Sequence, residues 1–218
     1  MAYKIALIII IIIVVIYLYW HSSMNVSSFY VCEVDICGTH KVHIAHANRE
    51  DAAKLMGDIK RRIDKLLIGL EKKYTIHKKL PKELTDNGIL IQDRVNQLLE
   101  NYDPNNISEI SPLNKTGATS YTENKTHLVL CLRKKEKNKE GIHELHDRDV
   151  VMFVVLHELA HMMNDRWGHP IEFWRLFKLL LEDAQEMGVY KPRDFEKHPV
   201  NYCGLDLTYN PIYDANIL

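Results

Sequence analysis

The run 149–163, DVVMFVVLHELAHMM, constrains this chain more than any other stretch. Apolar side chains fill almost every position from Val150 to Met163, so a helix over this run has no polar face and must be buried. Set into it are His157, Glu158 and His161, an HExxH spacing. Four residues of helix advance about 6 Å. Both imidazoles therefore reach one metal from one face, while Glu158 projects beside them toward a bound water. A lone histidine in such a helix is more often a satisfied core residue. Three ionisable groups crowded on a buried helix carry a heavy desolvation cost if unpaired, and a bound Zn²⁺ removes much of it. The expectation is a zinc site with His157 and His161 as ligands and Glu158 as the catalytic base.

A catalytic zinc takes three protein ligands and keeps one position for water. His169 lies eight residues past His161, beyond a turn at 164–168 that can swing it back. Asp165 competes by nearness, and Glu172 or Glu182 would give a carboxylate-liganded site on the next helix. Ligand chemistry and reach favour His169.

Residues 5–20, IALIIIIIIVVIYLYW, form an uncharged apolar run preceded by Lys4 and ending in aromatic residues. The expectation is an N-terminal membrane anchor over residues 1–22, inserted through 5–20. The run is long for a signal-peptide core, and no small-residue cleavage pattern follows it. Lys4 before the span, against Glu33 and Asp35 after it, favours a cytoplasmic N-terminus. Asn25, Asn106, Asn114 and Asn124 head glycosylation triplets that would then face a lumen.

The rest, 29–218, suits one domain. The whole chain, at 46% hydrophobic and 26% charged, has enough apolar content for a core, and its net charge of -1 lacks the basic excess of a dedicated nucleic-acid binder. Four cysteines, at 32, 37, 131 and 203, are too scattered for a disulfide scaffold; Cys32 and Cys37 are close enough to pair if the compartment is oxidising, and reduced core thiols fit equally. Residues 29–46 read as one or two short strands broken at Gly38, whose His40, His43 and His46 lack any metal-site spacing. An amphipathic helix follows over 49–74, with Lys60, Arg61 and Arg62 on its solvated face. Pro81 and the turn 86–88 separate it from a second helix beginning at Ile91. Residues 103–120 read as a loop. The segment 126–133, THLVLCLR, is the best strand, a candidate edge for pairing with extended substrate or an ordinary core strand. After Pro170 a helix is predicted with Ile171, Trp174, Phe177, Leu180, Leu181, Ala184 and Met187 buried and Gly188 as its stop. The aromatic tail wraps the domain, and Tyr202 is a weak candidate for hydrogen bonding to an oxyanion.

The segment LHELAHMMNDRWGHPIEFWRLFKLLLEDAQEMGVY resembles the WLM and SprT-like zinc metallopeptidases, in which HExxH is followed by a histidine just before a helix bearing aromatic residues. SYTENKTHLVLCLR and NYCGLDLTYNP extend the likeness to membrane-anchored WLM-type proteins of large DNA viruses, over about residues 30–213. The resemblance implies an α+β, zincin-like fold with a small sheet. It also implies Zn²⁺ held by His157, His161 and His169, Glu158 as base, a protein or peptide substrate, and a host or virion membrane. Relatives that cut protein crosslinked to DNA are soluble and carry DNA- or ubiquitin-binding extensions. The anchor and the charge balance here speak against that role and against a nucleic-acid partner. Two rival readings stay open: a membrane-anchored structural or interaction protein clipped by zinc, and a protease of DNA-bound protein, whose signature would be salt-dependent DNA binding.

Overall fold

Strands β1 (Phe29–Glu33) and β2 (Thr39–His43) pair antiparallel, Phe29 opposite His43, as the break at Gly38 predicts. The computed structural model describes Val14 and residues 29–33, 39–43, 46–77, 90–110 and 119–217. Apart from Val14, the expected anchor lies outside the described residues, as do the turn at 81–88 and any Cys32–Cys37 bond. Among the described residues no helix is long and apolar enough to cross a membrane.

Strand β3 (Ile107–Glu109) lies parallel to β2, and a parallel neighbour needs a crossover. Helices α1 (Arg49–Leu70) and α2 (Ile91–Asn101) lie within it. Ala52, Met56, Ile59, Ile63, Leu66 and Leu70 of α1 recur at helical spacing and are buried. At Gly57 the helix passes so close to β2 that a Cβ would stand 2.7 Å from His40 Nε2, which outweighs the cost of glycine inside a helix, about 1 kcal/mol. The predicted helix 49–74 continues beyond Leu70 as a π-helical turn, Glu71–Ile76, in which Lys73 and Tyr74 both donate to the carboxylate of Asp183.

The loop expected over 103–120 contains β3. Three residues are too few to show alternation, yet Ile107, Ser108 and Glu109 are all buried because the strand sits inside the sheet. Strands β4 (Tyr121–Glu123) and β5 (His127–Leu130) complete the order β1-β2-β3-β5-β4. The predicted strand 126–133 is therefore an interior strand that stops at Leu130, and β4 is the edge. Past Arg133 the side chains turn outward, and β6 (Arg133–Lys137) pairs separately with β7 (His143–Leu145).

Helix α3 (Arg148–Met163) begins at Asp147, whose carboxylate accepts from the N–H groups of Asp149 and Val150. It packs against α1, α2, β4, β5 and helix α4 (Ile171–Glu186), which accounts for apolar residues all round it. Of the predicted buried face of α4, Phe177, Leu180, Leu181 and Ala184 are inside and Trp174 and Met187 are half-buried, but Ile171 is exposed, and Phe173 and Leu176 join the buried face. Phe173 turns inward because the histidines of α3 lie against its ring. Gly188, at φ +66°, ends α4 with Val189 N–H on the Ala184 carbonyl. The tail adds a hairpin, β8 (Val200–Tyr202) and β9 (Leu205–Leu207). Lys178 ties its end down through the Asp214 and Ile217 carbonyls.

Candidate metal centre

Helix α3 presents His157 and His161 one turn apart, and the loop after it returns through Gly168, at φ +78°, to bring His169 onto them. His169 Nε2 lies 3.1 Å from His157 Nε2 and 3.2 Å from His161 Nε2. Three ring nitrogens meeting at a point cannot all be satisfied by sharing protons. A cation about 2.0–2.1 Å from each in tetrahedral geometry sets them about 3.3 Å apart, so the three fit a zinc ion. Burial, helped by the neighbouring imidazoles, pushes the pKa of His157 down to about 3; burial, His169 and Lys125 push that of His161 to about 4. Both rings are neutral at physiological pH, as ligands must be. Phe173 stands 4.9, 4.4 and 4.5 Å from the rings of His157, His161 and His169 and fixes their orientation from the far side.

Glu158 points beside the histidines from the same helix and accepts a 2.8 Å hydrogen bond from Thr122 Oγ1 of β4. Burial raises its pKa to about 7 against the opposing pull of that bond. A carboxylate so tuned can both take and return a proton near neutrality. These residues line a cavity of about 280 Å³, with Tyr121 and Thr122 of the edge strand on one side and Arg166 and Trp167 of the post-helix loop on the other. Lys125 bridges the sides, its Nζ 2.5 Å from the Asn164 carbonyl oxygen. It comes from the β4–β5 turn, where Asn124 and Lys125 have φ of +52° and +59°.

The rival ligands are engaged elsewhere. Arg94, buried on α2, donates to Glu172 Oε1 (2.5 Å) and to Asp165 Oδ2 (2.6 Å), and Gln97 holds the other Asp165 oxygen. The Arg94 hydrogen bond, set against weak desolvation, keeps Asp165 below the usual carboxylate range. Glu182 is exposed and does not line the cavity. Arg94 thereby clamps the loop that carries His169. Its signal was in the sequence: Ile91, Arg94, Val95 and Leu98 share one stripe, and a charge on an apolar stripe needs a buried partner. Thr122 and Lys125, by contrast, left no local mark.

Tyr202 is fully buried; its hydroxyl donates to the Cys131 carbonyl and meets Ser120 Oγ, so it is a packing residue and not part of the cavity wall. Cys131 and Cys203, expected as scattered thiols, form a disulfide across 72 residues. His40 and His43 are core residues of β2 away from the centre; the His43 N–H donates to buried Glu109, which pairs with Arg133.

Comparison with known proteins gives a 32% identical match over 162 residues to an uncharacterized protein of Acanthamoeba polyphaga mimivirus, covering 72% of each chain. This chain belongs to that protein's family. Two further relatives, uncharacterized proteins of Invertebrate iridescent virus 6 and Invertebrate iridescent virus 3, are 39% and 40% identical over 88 and 87 residues, covering 46% and 50% of their lengths. The family is thus one of large DNA viruses. No family model and no solved structure matches the chain.

Proposed function

We propose that this viral-family protein is a zinc-dependent metallopeptidase of the WLM and SprT-like kind, with a zincin-like fold, anchored to a membrane through residues 5–20. The observation that carries the reading is the convergence of three imidazole nitrogens within 3.1–3.2 Å beside a buried carboxylate in an open cleft. His157, His161 and His169 would hold the metal. When bound, zinc supplies a Lewis acid that polarises the scissile carbonyl and activates water at neutral pH.

The remaining roles belong to the chain. Glu158 takes a proton from the attacking water at its carboxylate and returns it to the leaving amine, with Thr122 holding the carboxylate in place. Among the described residues the outer edge of β4 pairs with no strand, so its backbone groups suit an extended peptide, which they would align along the cleft without demanding a sequence. His169 is exposed at the cleft, which favours a catalytic centre with one open position over a closed structural clip.

The test is cleavage of an unfolded protein by the full chain loaded with Zn²⁺. Turnover should stop on adding a chelator and return with zinc. Turnover indifferent to the chelator would refute the assignment.

A further inference from the structure

The hairpin between β8 and β9 turns on Cys203 and Gly204, at φ +53° and +86°. Such two-residue turns favour asparagine or aspartate followed by glycine. Gly204 fits the rule, whereas Cys203 occupies the left-handed region against its preference. A side chain held there marks a position fixed by what that side chain does. Its sulfur is bonded to Cys131, with the Cα atoms 6.5 Å apart. Beside the bond, His146 Nε2 stands 3.2 Å from Cys203 Sγ, and the Tyr202 ring packs 4.7 Å from the imidazole. All three residues are buried, and their donor atoms lie within 4.8 Å of one another.

A disulfide that only staples two segments needs no imidazole nitrogen directed at its sulfur. The Cα separation lies at the wide end of the disulfide range, about 4.4–6.8 Å. Side-chain rotation can therefore part the sulfurs to the roughly 3.7 Å that two thiolates adopt around a tetrahedral cation. The Arg133 carbonyl oxygen, 3.3 Å from both sulfurs, stands where a further donor would close the shell. Two thiolates and an imidazole form a soft donor set, which selects Zn²⁺ over Mg²⁺ or Ca²⁺.

We propose that Cys131, Cys203 and His146 form a second metal site, separate from the three-histidine centre, that takes Zn²⁺ when the disulfide is reduced and is closed to metal while it is intact. An external dithiol supplies two electrons and two protons: the sulfur–sulfur bond breaks, both sulfurs become thiols, and the dithiol leaves as a disulfide. Binding of Zn²⁺ then displaces the two thiol protons. The site also touches the cleft. The Cys131 N–H donates to Ser120 Oγ (2.9 Å), and Ser120 lines the cavity next to the edge strand that holds Thr122 on Glu158.

The experiment measures zinc per chain on the full-length protein, oxidised and after anaerobic reduction, in the wild type and in a His157→Ala/His161→Ala background. Reduction should add one equivalent of zinc in both, and His146→Ala or Cys203→Ser should remove that equivalent. Co²⁺ in its place should give thiolate charge-transfer absorption. If the reduced chain unfolds by circular dichroism, zinc should refold it unless Cys203 is replaced. No added equivalent in a folded reduced chain, failure of zinc to refold an unfolded one, or uptake that survives Cys203→Ser would each overturn the proposal. The double-alanine background keeps the two claims apart: oxidised chains of wild type and double variant with equal zinc would refute the three-histidine centre alone.

Discussion

Arg94→Met removes the clamp on the His169 loop. The Arg94 side chain is 4% exposed and that of Glu172 is 7%, so the variant leaves a buried carboxylate without its cation. Breaking one side of such a pair costs about 3–5 kcal/mol. The arm to Asp165, whose side chain is 65% exposed, adds at most about 1 kcal/mol. In a domain of this size each kcal/mol moves Tm by about 2–4 °C, so the metal-free variant should melt about 6–24 °C lower. Adding Glu172→Met exchanges the buried pair for packed apolar groups and should recover most of that loss. Zinc affinity separates positioning from stability. Asp165 loses its cation in both variants and keeps only the Gln97 hydrogen bond, so both should bind zinc about 10–100-fold more weakly than the wild type. Thermal melts and competitive zinc titrations read the two effects. A single variant within about 1 kcal/mol of the wild type, or a double variant no more stable than the single, would refute the reasoning.

Thr122→Val deletes a bond that holds the Glu158 pKa down; the acid limb of the kcat/KM profile should move to higher pH, and an unmoved limb would remove Thr122 from the base's environment. In the metal-free protein Glu158 has its pKa raised from 4.5 to about 7 by burial, so its contribution to stability is full below the unfolded value and is lost as pH rises through 7. The loss amounts to about 3 kcal/mol, and denaturant melts from pH 4 to 8 should show it shrinking in Glu158→Gln.

The convergence of the three histidines was legible because it is written into short spacings: HExxH sets His157 and His161 on one face by helical period, and His169 lies within loop reach of them. The buried character of α3 followed from its composition in the same way. What escaped depends on distant partners. The strand at Ile107–Glu109 exists only because β2 and β5 lie on either side of it, and its flanking Asn and Pro residues read as loop. The face of α4 was legible at Phe177, Leu180, Leu181 and Ala184 but not at its start, where Ile171 is exposed and Phe173 is drawn in by the imidazoles. Pairing of Cys131 with Cys203 spans 72 residues, and no local spacing announces it.

The most direct measurement of the central claim compares wild type and Glu158→Gln, matched for bound zinc by elemental analysis, in cleavage of an unfolded protein. The substitution keeps the shape of the side chain and its Thr122 partner but removes the proton acceptor. Both proteins should hold zinc at the three-histidine centre, and only the wild type should cut. Equal cleavage by the two zinc-loaded proteins, or no zinc at the centre in either, would contradict the account.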